Sequence, residues 1–264
     1  MINWYLNLAY PVQALIATLF TWAITSLGAA VVFIFKKMNK TTMDAMLGLS
    51  AGVMLAATFW SLLSPALEMA ENLELTPWLI VSLGVLSGGL LLYTGDKIFA
   101  KLTKKKSNSN SIKRSLMLIF SITLHNIPEG MAIGVAFGSV FYNLDGATLT
   151  SAVMLAIGIG IQNFPEGSAV SLPLRREGMK RSKAFLFGVL SGIVEPISAV
   201  IGAILVIKIK ILLPILLAFA GGAMIYVVVQ ELIPESQTNK KKDLMALFTI
   251  FGFLIMMNFD VALG

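Results

Sequence analysis

LHNIPEG at residues 124–130 and IQNFPEG at 161–167 place a histidine, a glutamine, two asparagines and two glutamates inside long apolar segments, each set beside a proline. On a helix, residues four apart share a face. His125 with Glu129, and Gln162 with Glu166, therefore form two pairs of inward-pointing donors. Asn126 and Asn163 sit three residues before the same glutamates and add one amide oxygen each.

Working outward, the chain has 264 residues, 57% of them hydrophobic and 13% charged, against about 25% charged in a soluble domain. Spans of about 20 apolar residues cross a bilayer. Eight such runs are expected, at 8–35, 45–67, 77–99, 115–141, 147–173, 184–207, 211–234 and 244–263. The fold class is thus an all-α polytopic membrane protein with eight transmembrane helices in a single domain. The first run has no basic segment before it and is too long for a signal-peptide core, so it is read as helix 1 with no cleaved leader. With no cysteine, disulfides and thiolate metal sites are excluded.

The formal net charge of +6 does not point to nucleic acid. Of the 20 basic residues, all but Lys208 and Lys210 lie in alternate loops, those after helices 1, 3, 5 and 7. The positive-inside rule then puts both termini outside. KLTKKKSNSNSIKR at 101–114 reads as a flexible, solvated cytoplasmic loop.

In this topology the two motif helices run in opposite directions. A fainter echo joins AGVMLAATFWSLLSPALE on helix 2 to AGGAMIYVVVQELIPES on helix 7. Inverted repeats around a midplane site are a recurring transporter plan. At about 1.5 Å per residue, His125, Gln162, Glu195 and Met54 all fall near the middle of their helices.

Carboxylates at mid-bilayer are costly, and Glu129, Glu166 and Glu195 would repel one another. A divalent cation bridging them removes both penalties; protonation does so too, which keeps a proton relay as a rival. Pro128, Pro165 and Pro196 have no N–H for the carbonyls of Leu124, Ile161 and Gly192. Carbonyls freed in a membrane need another partner.

These residues resemble the ZIP (Zrt/Irt-like) divalent metal transporters, within them the bacterial GufA-like branch. The resemblance covers essentially the whole chain and rests on HNIPEG, IQNFPEGSAVSLPLRREG, GIVEP and the closing MMNFDVALG. It implies a binuclear midplane centre. One position would be ligated by His125, Glu129, Gln162 and Glu166 with Met54 at its edge. The second would be ligated by Asn126, Asn163 and Glu195, with Glu129 and Glu166 bridging. Some relatives carry Asp where this chain has Asn163, so weaker binding is expected at the second position. The resemblance further implies a homodimer in the bacterial inner membrane. It also implies alternating access, with helices 1, 4, 5 and 6 sliding against helices 2, 3, 7 and 8. Gly48, Ala51 and Gly52 with Ala220, Gly221, Gly222 and Ala223 would form a smooth wall.

Glu68 and Asp260, at the outer ends of helices 2 and 8, are expected to gather hydrated cations. Asp44, Gln230 and Glu231, at the inner ends of helices 2 and 7, are expected to pass them on. A donor set of imidazole, carboxylate, amide and thioether suits Zn²⁺ but also Cd²⁺, Fe²⁺, Mn²⁺ and Co²⁺. The expected function is import of such ions, with no prosthetic group. The alternatives are a proton or cation channel using the same carboxylates and an intramembrane metallohydrolase. The second lacks an H-E-x-x-H pattern, and no nucleotide-binding G-x-x-x-x-G-K-[ST] loop is present.

Overall fold

The computed structural model describes residues 2–35, 39–104, 110–144, 147–176 and 178–263, and among them every regular element is helical. After a short helix at Ile2–Leu6 come eight long rods. These are α1 (Tyr10–Ile34), α2 (Lys40–Asn72), α3 (Pro77–Lys104), α4 (Asn110–Ser139), α5 (Leu149–Arg176), α6 (Arg181–Lys208), α7 (Leu212–Ser236) and α8 (Lys242–Leu263). Among the described residues six rods are long and apolar enough to cross a membrane: α1, α2, α3, α6, α7 and α8. α4 and α5 are as long.

Local sequence sets the rod ends. Pro11 enters α1 at its first turn, where its missing N–H costs nothing. Asn39 caps α2 by accepting from the Thr41 N–H. Several rods outrun their expected bounds. α3 continues through Lys104 and α4 starts at Asn110, so the segment expected to be loop at 101–114 is helical at 101–104 and 110–114. Lysine is a good helix former, and such turns need no apolar face. Lys36, Lys37, Lys105 and Lys106 of the basic loops lie outside the described residues.

Three rods are interrupted. In α2 a π-helical turn at Thr58–Leu63 ends with the Ser64 N–H reaching Phe59 O, five residues back, just before Pro65. In α7 the π-turn Val228–Leu232 ends with the Ile233 N–H reaching Val228 O, just before Pro234. The distance from Ala51 to Pro65 equals that from Ala220 to Pro234, so the faint echo between these helices has a structural counterpart in the same register. α6 breaks at Gly192–Ile193 and resumes at Val194. The Gly192 carbonyl, expected to be freed by Pro196, instead accepts from the Glu195 N–H at 3.1 Å. That shift releases Ser191 O, which takes Asn126 Nδ2 at 2.8 Å.

The most extensive helix pairs are α1 with α5, α4 with α6, α2 with α8 and α3 with α7. Each is sealed by glycine against carbonyl. A Cβ at Gly28 would overlap Phe164 O, and one at Gly167 would overlap Thr25 O. Gly134 lies on Ala199 O, Gly52 on Thr249 O and Gly222 on Val85 O in the same way. Two blocks result, α1/α4/α5/α6 and α2/α3/α7/α8, which meet chiefly along α4–α7 and α2–α5. The glycines expected to form a sliding wall point elsewhere. Gly48 and Gly52 face α8, Gly221 faces Leu63 and Gly222 faces α3, all within their own block. A side-chain-free position serves backbone approach within a pair before it serves a smooth outer face.

The candidate metal centre

Pro128 and Pro165 sit inside continuous α4 and α5, and the motif glycines bring these helices against their neighbours. Gly130 lies on the Glu195 carbonyl and Gly167 on that of Thr25. The approach of α4 to the break in α6 gathers His125, Asn126 and Glu129 with Glu195, in the first turn of the resumed helix. Gln162, Asn163 and Glu166 join them from α5. All seven are buried, and Met54 on α2 is fully buried.

Their hydrogen bonds divide them. Gln162 Nε2 donates to Glu129 Oε1 at 2.7 Å. Asn163 Nδ2 donates to Glu195 Oε1 and Oε2 at 2.9 and 3.0 Å, and Thr21 Oγ1 donates to Glu195 Oε2 at 2.6 Å. Glu129, Glu166 and Glu195 lie within electrostatic reach of one another. Six buried atoms of this group have no hydrogen-bond partner: His125 Nε2, Asn126 Oδ1, Glu129 Oε2, Gln162 Oε1, Asn163 Oδ1 and Glu166 Oε2. Buried polar atoms are rarely left so, and each of these six has a lone pair that can face a cation. Among the described residues no three His, Asp or Glu side chains form a metal cage by themselves, so a cation here would need the amide oxygens as well.

The expected pathway residues are spread around this centre. Glu231 Oε1 is 3.4 Å from His125 Nε2, which joins α7 to the centre. Gln230 and Glu68 are exposed. Asp44 is buried and its Oδ2 accepts from Asn239 Nδ2 at 2.8 Å, a tie to the segment before α8. Asp260 Oδ1 accepts from Ser61 Oγ at 2.7 Å, and its Oδ2 has no hydrogen-bond partner.

Two participants escaped the sequence reading. Asp96 on α3 accepts from the Tyr226 hydroxyl at 3.2 Å and lies within electrostatic reach of His125 and Glu231. Beside Lys97, Lys101 and Lys104 it reads as one more charge of a basic loop. Thr21 belongs to a buried row, Thr18, Thr21 and Thr25, whose spacing of three and four residues marks one face of α1. That row was a usable signal.

The ZIP zinc transporter family model matches residues 8–114 and 107–260. The chain belongs to the ZIP zinc transporter family. It is similar to the zinc transporter ZIP11 of Xenopus tropicalis, 37% identical over 96% of this chain and 97% of the relative. It is also similar to the zinc transporter GufA of Myxococcus xanthus, 33% identical over 95% and 98%, and to the zinc transporter ZIPB of Bordetella bronchiseptica, 37% identical over 92% and 79%. As a ZIP family member with rods able to cross a membrane among its described residues, the chain is an integral membrane transporter of divalent metal, not an enzyme. The hydrolase alternative is thereby set aside.

Proposed function

We propose that this ZIP family member imports Zn²⁺ into the bacterial cytoplasm and tolerates Cd²⁺, Fe²⁺, Mn²⁺ and Co²⁺, with eight helices spanning the inner membrane and both termini outside. One observation carries the reading. His125 Nε2, Glu129 Oε2, Gln162 Oε1 and Glu166 Oε2 are buried without a hydrogen bond, one atom from each of four side chains of the duplicated motif. Two carboxylates among four donors balance one dication, which removes the cost of burying either charge alone. The mixed nitrogen and oxygen set is one Zn²⁺ accepts.

Movement follows alternating access between the two blocks. Support comes from the glycine-on-carbonyl seams, which lie within blocks, and from the polar contacts across the boundary. These include a Ser50 Oγ to Gln162 O bond at 3.4 Å and the His125–Glu231 approach. The matched π-turns of α2 and α7 support an inverted repeat. Ions come in past Asp260 and Glu68 and leave past Glu231, Gln230 and Asp44.

Uptake of Zn²⁺ and Cd²⁺ into proteoliposomes at controlled pH tests the proposal. Saturable uptake is expected for the wild type, with loss of nearly all of it in His125→Ala and Glu166→Ala. A proton current that survives while no metal moves would instead make the carboxylates a proton relay.

A further inference from the structure

We propose that Thr21 and Asn163 close the second ion position: they hold Glu195 as an internally satisfied carboxylate, so that the centre takes one divalent ion per chain and not two. The inference rests on the preceding reading of the site and specifies its occupancy.

Glu195 differs from every other polar side chain of the centre. Both of its carboxylate oxygens are engaged by protein donors, Oε1 by Asn163 Nδ2 at 2.9 Å and Oε2 by Asn163 Nδ2 at 3.0 Å and Thr21 Oγ1 at 2.6 Å. Its six unpaired neighbours belong to His125, Asn126, Glu129, Gln162, Asn163 and Glu166. The orientation of the Asn163 amide is dictated by chemistry, because only its NH₂ end can lie against two carboxylate oxygens; the reverse would set oxygen on oxygen. Glu195 also occupies the first turn of the helix resuming at Val194, where the helix dipole favours a negative charge. Three independent devices therefore stabilise this carboxylate without an ion.

Charge balance leads the same way. The centre contains three carboxylates, Glu129, Glu166 and Glu195. One dication leaves a single negative charge, and it falls on the carboxylate already held by Thr21 and Asn163. Two dications would exceed the charge of these three carboxylates, a costly state in a protein interior, and the further acid at the centre, Glu231, approaches His125 of the first position. The unpaired oxygens remaining for a second ion, Asn126 Oδ1 and Asn163 Oδ1, are neutral and cannot offset the excess. Replacing Asn163 by aspartate would remove the donor that occupies Glu195 and add the missing charge in the same step.

Equilibrium dialysis of the purified full-length chain in detergent against Cd²⁺, with elemental analysis, counts the ions bound. One Cd²⁺ per chain is expected for the wild type and two for Asn163→Asp, with a further gain in affinity for the second ion in Thr21→Val/Asn163→Asp. Cadmium X-ray absorption supplies a second readout. A metal–metal vector at roughly 3.5–4 Å, the spacing of paired-metal sites, is expected only in the aspartate variants. Two ions of comparable affinity in the wild type, or that vector in its spectrum, would overturn the inference. So would an Asn163→Asp protein that keeps the wild-type melting transition yet binds a single ion. Should Asn163→Asp fail to fold, the wild-type count and spectrum decide alone. A wild type that binds no Cd²⁺, or a His125→Ala variant that binds it as the wild type does, would refute the site reading itself and not its occupancy.

Discussion

The two helix blocks treat polar groups in opposite ways. In α1/α4/α5/α6 the polar side chains of the motifs are buried together and left with unpaired atoms, beside prolines that sit inside continuous α4 and α5. In α2/α3/α7/α8 three acids stand apart, each held by a donor from its own half of the bundle: Asp260 by Ser61, Asp96 by Tyr226, Asp44 by Asn239. That block also absorbs its prolines differently, with a π-turn before Pro65 and before Pro234. A widened turn takes up the missing N–H within the helix and leaves no demand on a neighbour. Buried polar atoms without partners thus concentrate in one block, the block that the proposed reading assigns to the ion. The unpaired atoms of the first block lack any partner, whereas these three acids already hold a protein donor, with only Asp260 Oδ2 left over.

The largest loss is expected from a substitution in a seam within a block. Gly134→Val would drive a side chain into Ala199 O, and destabilisation of about 1–3 kcal/mol or more is expected from overpacking. Thermal unfolding in detergent measures it, and an unchanged melting transition would mean that α4 and α6 do not form a rigid pair. A smaller effect is expected from Glu231→Ala. Removing the carboxylate 3.4 Å from His125 should slow proteoliposome uptake several-fold while the dialysis affinity for Cd²⁺ stays near the wild-type value. Equal losses in both would place Glu231 inside the ion's donor set. The smallest effect is expected at the boundary between the blocks. A Cβ at Gly95 meets only the far end of the Leu124 side chain, which can rotate away, so Gly95→Ala should change stability by less than about 0.5 kcal/mol. A large loss there would show the boundary to be as tightly packed as the seams.

Much of the centre was legible in the sequence because its signal is local. Spacing of four on a helix puts His125 beside Glu129 and Gln162 beside Glu166 without reference to any other segment. The basic residues of alternate loops and the lengths of the apolar runs likewise suffice for an all-α membrane protein. What the reading missed depends on partners far along the chain. Thr21 meets Glu195 across 174 residues, and Tyr226 meets Asp96 across 130. The glycines of α2 and α7 were visible, but the direction they face was not, since a small residue looks the same whether it meets a backbone or an open wall. The carbonyl of Gly192 was expected to be left free by Pro196, yet a tightened turn at Glu195 passes the vacancy on to Ser191 and from there to Asn126.

Helical class, the pairing of donors within each motif and the identity of the polar residues were determined by the sequence alone, because helix periodicity and the cost of burying charge operate on any chain with this pattern. Which helices pair, which atoms of the centre are satisfied and which remain for an ion were decided only in the tertiary structure. A hydrogen bond or a glycine seam needs two surfaces held within ångströms of each other, and that proximity exists only once the blocks have packed.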